Sequence, residues 1–190
     1  MKHDNWHAFV EEVVSKIRPH AGYFAWAPNR PVEERGAVDE LMTSLEAEGQ
    51  AFFHSPQSRS PDPPDLEALL FNGERLGIEV TELVDGDAIV AAKTNRPYPQ
   101  APYTEAEISD LLSQRIAEKD SPASIHGGPY AHYMLLIYCD EPRVLDYGLL
   151  DSVRYMTFST TRLINRAFLL LSYNALVQRC PYIELRVRDA

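Results

Sequence analysis

The period of the hydrophobic pattern changes along this chain. Apolar residues recur at helical spacing in three clear stretches. Trp6, Phe9, Val10, Val13 and Ile17 predict a helix over 5–17 that ends before Pro19. Val38, Leu41, Met42 and Leu45 predict a second over 32–48, closed by Gly49 as a C-cap. Ile108, Leu111, Leu112 and Ile116 predict a third over 104–119, opened by a capping box of Thr104 and Glu107. Between 64 and 85 the period falls to two. Ala68 to Phe71 is a short apolar run, Asn72-Gly73 favours a two-residue hairpin turn, and 76–83 returns with Ile78 and Val80 on one face and Glu79, Thr81 and Leu83 on the other.

The remaining pattern is shorter in range. Gln50 to His54, Ala131 to Cys139 and Ala167 to Tyr173 read as buried strands, and Tyr182 to Val187 alternates like an edge strand. The stretch 151–167 reads as a helix, although Thr157, Ser159, Thr160 and Thr161 are poor helix formers. Ser- and Pro-rich 55–64, Pro-rich 95–103 and Gly-containing 121–129 read as loops. The order helix, helix, strand, hairpin, helix, strand, helix, strand, strand predicts an α/β fold with a central mixed β-sheet flanked by helices. With 190 residues one domain is expected, over 32–190, preceded by an N-terminal helix and linker over 1–31.

Chemistry enters at the hairpin. Asp65 opens it and Glu79 lies midway along its second strand, between Ile78 and Val80, where a strand interior disfavours acids. Two neighbouring carboxylates repel, and Mg²⁺ (or Mn²⁺), a hard cation bound by oxygen, removes the repulsion. Glu34 stands one turn before Val38 on the apolar face of its helix, so it is a third candidate, against the simpler reading of a helix-dipole complement. Arg115 and Lys119 fall on the buried face of the 104–119 helix, where long basic stems can also simply snorkel. His3 and His7 stand four apart near the N-terminus and read as solvated rather than metal-bound.

Pro64-Asp65 followed, after a Gly-containing hairpin, by Glu79-Val80-Thr81 resembles the PD-(D/E)xK nuclease superfamily, the restriction-endonuclease-like enzymes. Thr81 stands where that family has its lysine. The resemblance implies a three-layer restriction-endonuclease-like core and metal-dependent hydrolysis of phosphodiester bonds. In that reading Asp65 and Glu79 hold Mg²⁺, the Val80 carbonyl adds a ligand, and Glu34 completes the set as the acid from the preceding helix. Lys119 replaces the motif lysine, with Arg115 second, and Thr81 contributes only a hydroxyl. The implied partner is nucleic acid, DNA first, and a homodimer is the default for an enzyme that cuts both strands. The alternative of another class is a degenerate nuclease fold acting as a binding or assembly module. An unrelated α/β protein with merely exposed hairpin acids is a third.

Composition adjusts this picture. The formal net charge of −10 argues against strong non-specific binding to nucleic acid, and any such surface should draw on the less acidic, arginine-bearing C-terminal part. No apolar run reaches membrane-spanning length, and the N-terminus lacks a signal peptide's apolar stretch. Cys139 and Cys180 have no metal-ligand spacing and read as free thiols of a reducing, cytoplasmic compartment.

Overall fold

The computed structural model describes residues 29–86, 90–91, 94, 96–97, 101–120, 125–140, 142–144 and 147–189. The helix expected at 5–17, with His3 and His7, lies outside the described residues. Helix α1 spans Arg30–Ala47. It is followed by strands β1 (Phe53–Ser58), β2 (Leu66–Leu70) and β3 (Arg75–Leu83), then helix α2 (Glu105–Lys119) and strand β4 (His132–Cys139). A short 3₁₀ turn, Pro142–Val144, leads to helix α3 (Tyr147–Tyr155) and strands β5 (Thr157–Thr161), β6 (Arg166–Leu171) and β7 (Tyr182–Asp189).

Seven strands form one mixed sheet in the order β1-β2-β3-β4-β6-β7-β5. β1, β2 and β3 are an antiparallel meander, and β3, β4 and β6 run parallel. A parallel neighbour needs a crossover, which α2 supplies between β3 and β4. The side chains of β4 show the layering. Met134, Leu136 and Tyr138 pack with Val38, Leu41 and Leu45 of α1. Tyr133, Leu135, Ile137 and Cys139 pack with Ile108, Leu112 and Ile116 of α2 and Val153 of α3. The result is the three-layer α/β core expected from the sequence, a mixed sheet with helices on both faces.

Local chemistry explains where the elements stop. At the end of α1 the Gly49 N–H donates to the Glu46 carbonyl and the Gln50 N–H to Leu45, with Gly49 at φ +67°, so a left-handed glycine closes the helix. Both halves of the α2 capping box form, the Glu107 N–H reaching Thr104 Oγ1 and the Thr104 N–H reaching Glu107 Oε2.

Four expectations are corrected. The hairpin turn is not a two-residue one. Gly73 at φ +87° ends a three-residue loop in which the Gly73 N–H donates to the Leu70 carbonyl, and Asn72 Oδ1 accepts from the Glu74 N–H. The strand expected at 50–54 instead runs from Phe53 through Pro56 to Ser58. Edge position and an irregular register between His54 and Gln57 make a proline tolerable there. The helix expected at 151–167 ends at Tyr155, and its threonine-rich tail becomes β5, as β-branched residues favour. β7 is therefore not an edge, because β5 pairs along its end at Arg186 to Asp189.

Candidate functional site

The hairpin register brings the two acids together. Leu66 pairs with Ile78, so Asp65, just before β2, lies beside the stretch of β3 that β2 no longer covers. There the Val80 N–H donates to Asp65 Oδ2 at 2.8 Å. In an extended strand a residue's N–H and C=O point to the same side, so the Val80 carbonyl faces the same opening. Asp65 is 3% exposed and Glu79 7%, which is unusual for carboxylates and rules out the reading of two solvated hairpin acids.

The third acid comes from α1. One turn before Val38, Glu34 is turned inward with its side chain 12% exposed. Burial first, then the charge of Asp65 beside it, push Glu34 up to about 7. Glu79 is also raised, chiefly by burial, with Asp65 adding to the effect and the Lys119 hydrogen bond opposing it. Three carboxylates from three elements thus share one negative hollow.

Two cations answer that charge. Lys119, the last residue of α2, donates from Nζ to Glu79 Oε1 at 2.7 Å. Tyr133 on β4 donates its hydroxyl to the other oxygen, Oε2, at 3.2 Å, and burial and Glu79 raise that phenol so that it stays a donor. Arg30, in the first turn of α1, donates to Glu34 Oε1 through Nε and to Asp65 Oδ1 through Nη2 at 2.9 Å, with Asp62 at 3.3 Å. Its guanidinium stands between two of the acids. Among the described residues no three acidic, histidine or cysteine side chains stand close enough to form a metal-binding cluster, and Arg30 pairs with both Glu34 and Asp65.

Each residue singled out in the sequence can now be located. Asp65, Glu79, Glu34 and Lys119 surround the hollow. Thr81 lies two residues beyond Glu79 on the same face of β3, half-buried and opposite Ile137. Arg115 points elsewhere, to Glu118 at 2.9 Å and to the Val84 carbonyl. The C-terminal arginines are largely engaged with acids: Arg143 with Asp85, Arg166 with Glu184 and Arg179 with Glu48. Cys139 and Cys180 are free and buried. No helix among the described residues is long and apolar enough to cross a membrane.

Sequence reasoning missed Arg30, Tyr133 and Gly77. Arg30 precedes Pro31 in a stretch that read as linker. Tyr133 gives no signal of its own in an apolar strand. Gly77 did carry one, since glycine inside a strand marks close approach. A Cβ there would stand 2.8 Å from the Tyr133 ring and 3.3 Å from Tyr130. Its absence lets the Tyr133 ring lie against β3 and carry its hydroxyl to Glu79.

Comparison with known proteins adds one likeness. No protein-family model matches the chain, and no curated protein does. A solved structure of Pyrococcus furiosus SfsA in complex with Ca²⁺ is similar, with 15% identity and a TM-score of 0.34. The match covers 82% of this chain and 65% of that one, so the chain spans just under two thirds of its length.

Proposed function

We propose that the protein is a divalent-metal-dependent phosphodiesterase of the PD-(D/E)xK kind, acting on nucleic acid. One observation carries the reading: carboxylates from α1, the residue before β2, and β3 converge in a buried hollow where Glu34 and Glu79 are pushed upward and a lysine bonds Glu79. The donor set fits Mg²⁺ or Mn²⁺, since every group is a hard oxygen and the net charge calls for a cation. Asp65 and Glu79 would hold the ion, with the Val80 carbonyl and Glu34 as further ligands once Arg30 withdraws. A metal held there would supply an activated water and stabilise the charge that builds on the phosphoryl oxygens.

The chain's own residues do the rest. Lys119 presents an ammonium at the rim, 26% exposed, where it can orient a water or neutralise a phosphate oxygen. Thr81 offers only a hydroxyl, so the cationic role falls to Lys119. Tyr133 fixes the plane of Glu79 by holding one carboxylate oxygen while Lys119 holds the other. Arg30, released from Asp65, becomes a second cation facing the substrate.

The test is cleavage of DNA and RNA in Mg²⁺ by the full chain. Asp65→Ala and Lys119→Ala should each abolish it. A fully active Lys119→Ala would remove the lysine from the mechanism. A second reading has an observation of its own. Arg30 already neutralises Asp65 and Glu34, as in a fold that has kept its acids and lost its metal. A chain that binds nucleic acid equally well in EDTA and cleaves none would favour that binding module.

A further inference from the structure

We propose that the turn joining β5 to β6, residues 162–165, is the positioning element of the site, acting through Asp120 and Asn165; the proposal rests on the site reading above. The problem it solves is mechanical. Lys119 is the last residue of α2, and helix ends fray. A flexible four-carbon side chain on a fraying turn would not present its ammonium reproducibly to Glu79.

Asp120 removes that freedom. Its N–H donates to the Ile116 carbonyl at 2.9 Å and so continues the helix bonding one residue further. Its carboxylate then accepts three successive backbone N–H groups of the turn. Arg162 donates to Oδ2 at 2.7 Å, and Leu163 and Ile164 donate to Oδ1 at 2.9 and 3.1 Å. Successive N–H groups converging on one anion form a nest, and charge-assisted bonds of this kind are the strong ones. The turn is itself fixed, because Thr161 Oγ1 donates to the Ile164 carbonyl at 2.7 Å and Ile164 is buried.

The next residue of the same turn holds the other donor. The Asn165 N–H donates to the Tyr133 carbonyl at 2.9 Å, and Asn165 Oδ1 accepts the Tyr133 N–H at 2.8 Å. Tyr133 and Lys119 are the two side chains that bond Glu79, one on each oxygen. A closed ring results: Glu79, Lys119, Asp120, the turn, Asn165, Tyr133 and back to Glu79. One turn from the second half of the chain thereby sets both donors to an acid in the first half. Asp120 and Asn165 are positioning residues, and neither bonds the acids of the hollow.

Lysine labelling tests this without relying on activity. The chain's lysines are Lys2, Lys16, Lys93 and Lys119, so limiting acetic anhydride followed by peptide mass spectrometry reads Lys119 against three internal references. An ammonium held by a carboxylate is a poor nucleophile, so Lys119 should label slowly in the wild type and fast in Glu79→Gln, the control for release. Asp120→Asn should raise Lys119 labelling about fivefold, the factor expected when the net worth of one such bond is withdrawn, with Lys93 unchanged. Where the protein cleaves nucleic acid, kcat should fall while half-saturating Mg²⁺ stays constant. Should Asp120→Asn not fold, Asp120→Glu, which keeps the carboxylate but displaces it by one methylene, should give a smaller rise. Unchanged Lys119 labelling in a folded Asp120 variant overturns the proposal. A chain that cleaves nothing while Lys119 still responds supports the positioning ring and sinks the nuclease reading alone.

Discussion

Glu34→Gln offers a direct measure of the negative hollow. Glu34 is raised from 4.5 to about 7 by burial and by Asp65. The folded protein therefore holds that proton more tightly than the unfolded chain does. The stabilisation it brings is complete below about 4.5 and is lost as pH rises through about 7. At 1.36 kcal/mol per pH unit, the ionised Glu34 costs the wild type on the order of 3 kcal/mol at pH 8. Glutamine carries no charge to repel Asp65, though it gives up the charged bond to Arg30. A net gain of about 2 kcal/mol at pH 8 is expected, or about 4–8 °C in Tm for a domain of this size. The assay is urea denaturation in EDTA at pH 4, 6 and 8, read by tryptophan and tyrosine fluorescence. The variant should match the wild type at pH 4 and exceed it at pH 8. A variant no more stable at pH 8 than at pH 4, relative to wild type, would show that Glu34 is not held against an opposing charge.

Other expectations follow from the same geometry. Lys119→Met leaves Glu79 buried without its cation and should cost about 2 kcal/mol at neutral pH, less than a fully buried pair because Lys119 keeps some water contact. That loss should shrink in acid as Glu79 protonates, which a denaturation series across pH would read. Gly77→Ala should destabilise by about 1–3 kcal/mol, because the new methyl forces the Tyr133 ring off β3. In a Tyr133→Ala background the same change should cost less, because the ring it strikes is gone. Arg30→Ala should lower stability in EDTA and tighten Mn²⁺ binding about tenfold, since a competing positive charge leaves the hollow.

Much of this arrangement is legible from residue patterns because it rests on local rules. The capping box starts α2 at Thr104, and helical spacing then carries Lys119 to the sheet-facing side at its end. Strand alternation sends Glu79 and Val80 to opposite faces, and a hairpin of this length returns β3 to Asp65. Glu34 is legible as an acid on an apolar helix face. What pattern cannot supply is long-range pairing. β5 and β7 meet across the β6 hairpin, so β7 has the alternation of an edge strand while lying inside the sheet. Arg30 reaches Asp65 across 35 positions from a proline-flanked stretch with no periodicity. Nothing near Asp120 announces that it accepts N–H groups from residues more than forty positions away.

Calorimetric titration of Mn²⁺ into the full chain at pH 7.5 tests the central idea most directly. Binding that is saturable in the wild type and lost in both Asp65→Asn and Glu79→Gln is the expected result. Heats that are absent in the wild type, or identical in all three proteins, would mean that Glu34, Asp65 and Glu79 do not form a metal site.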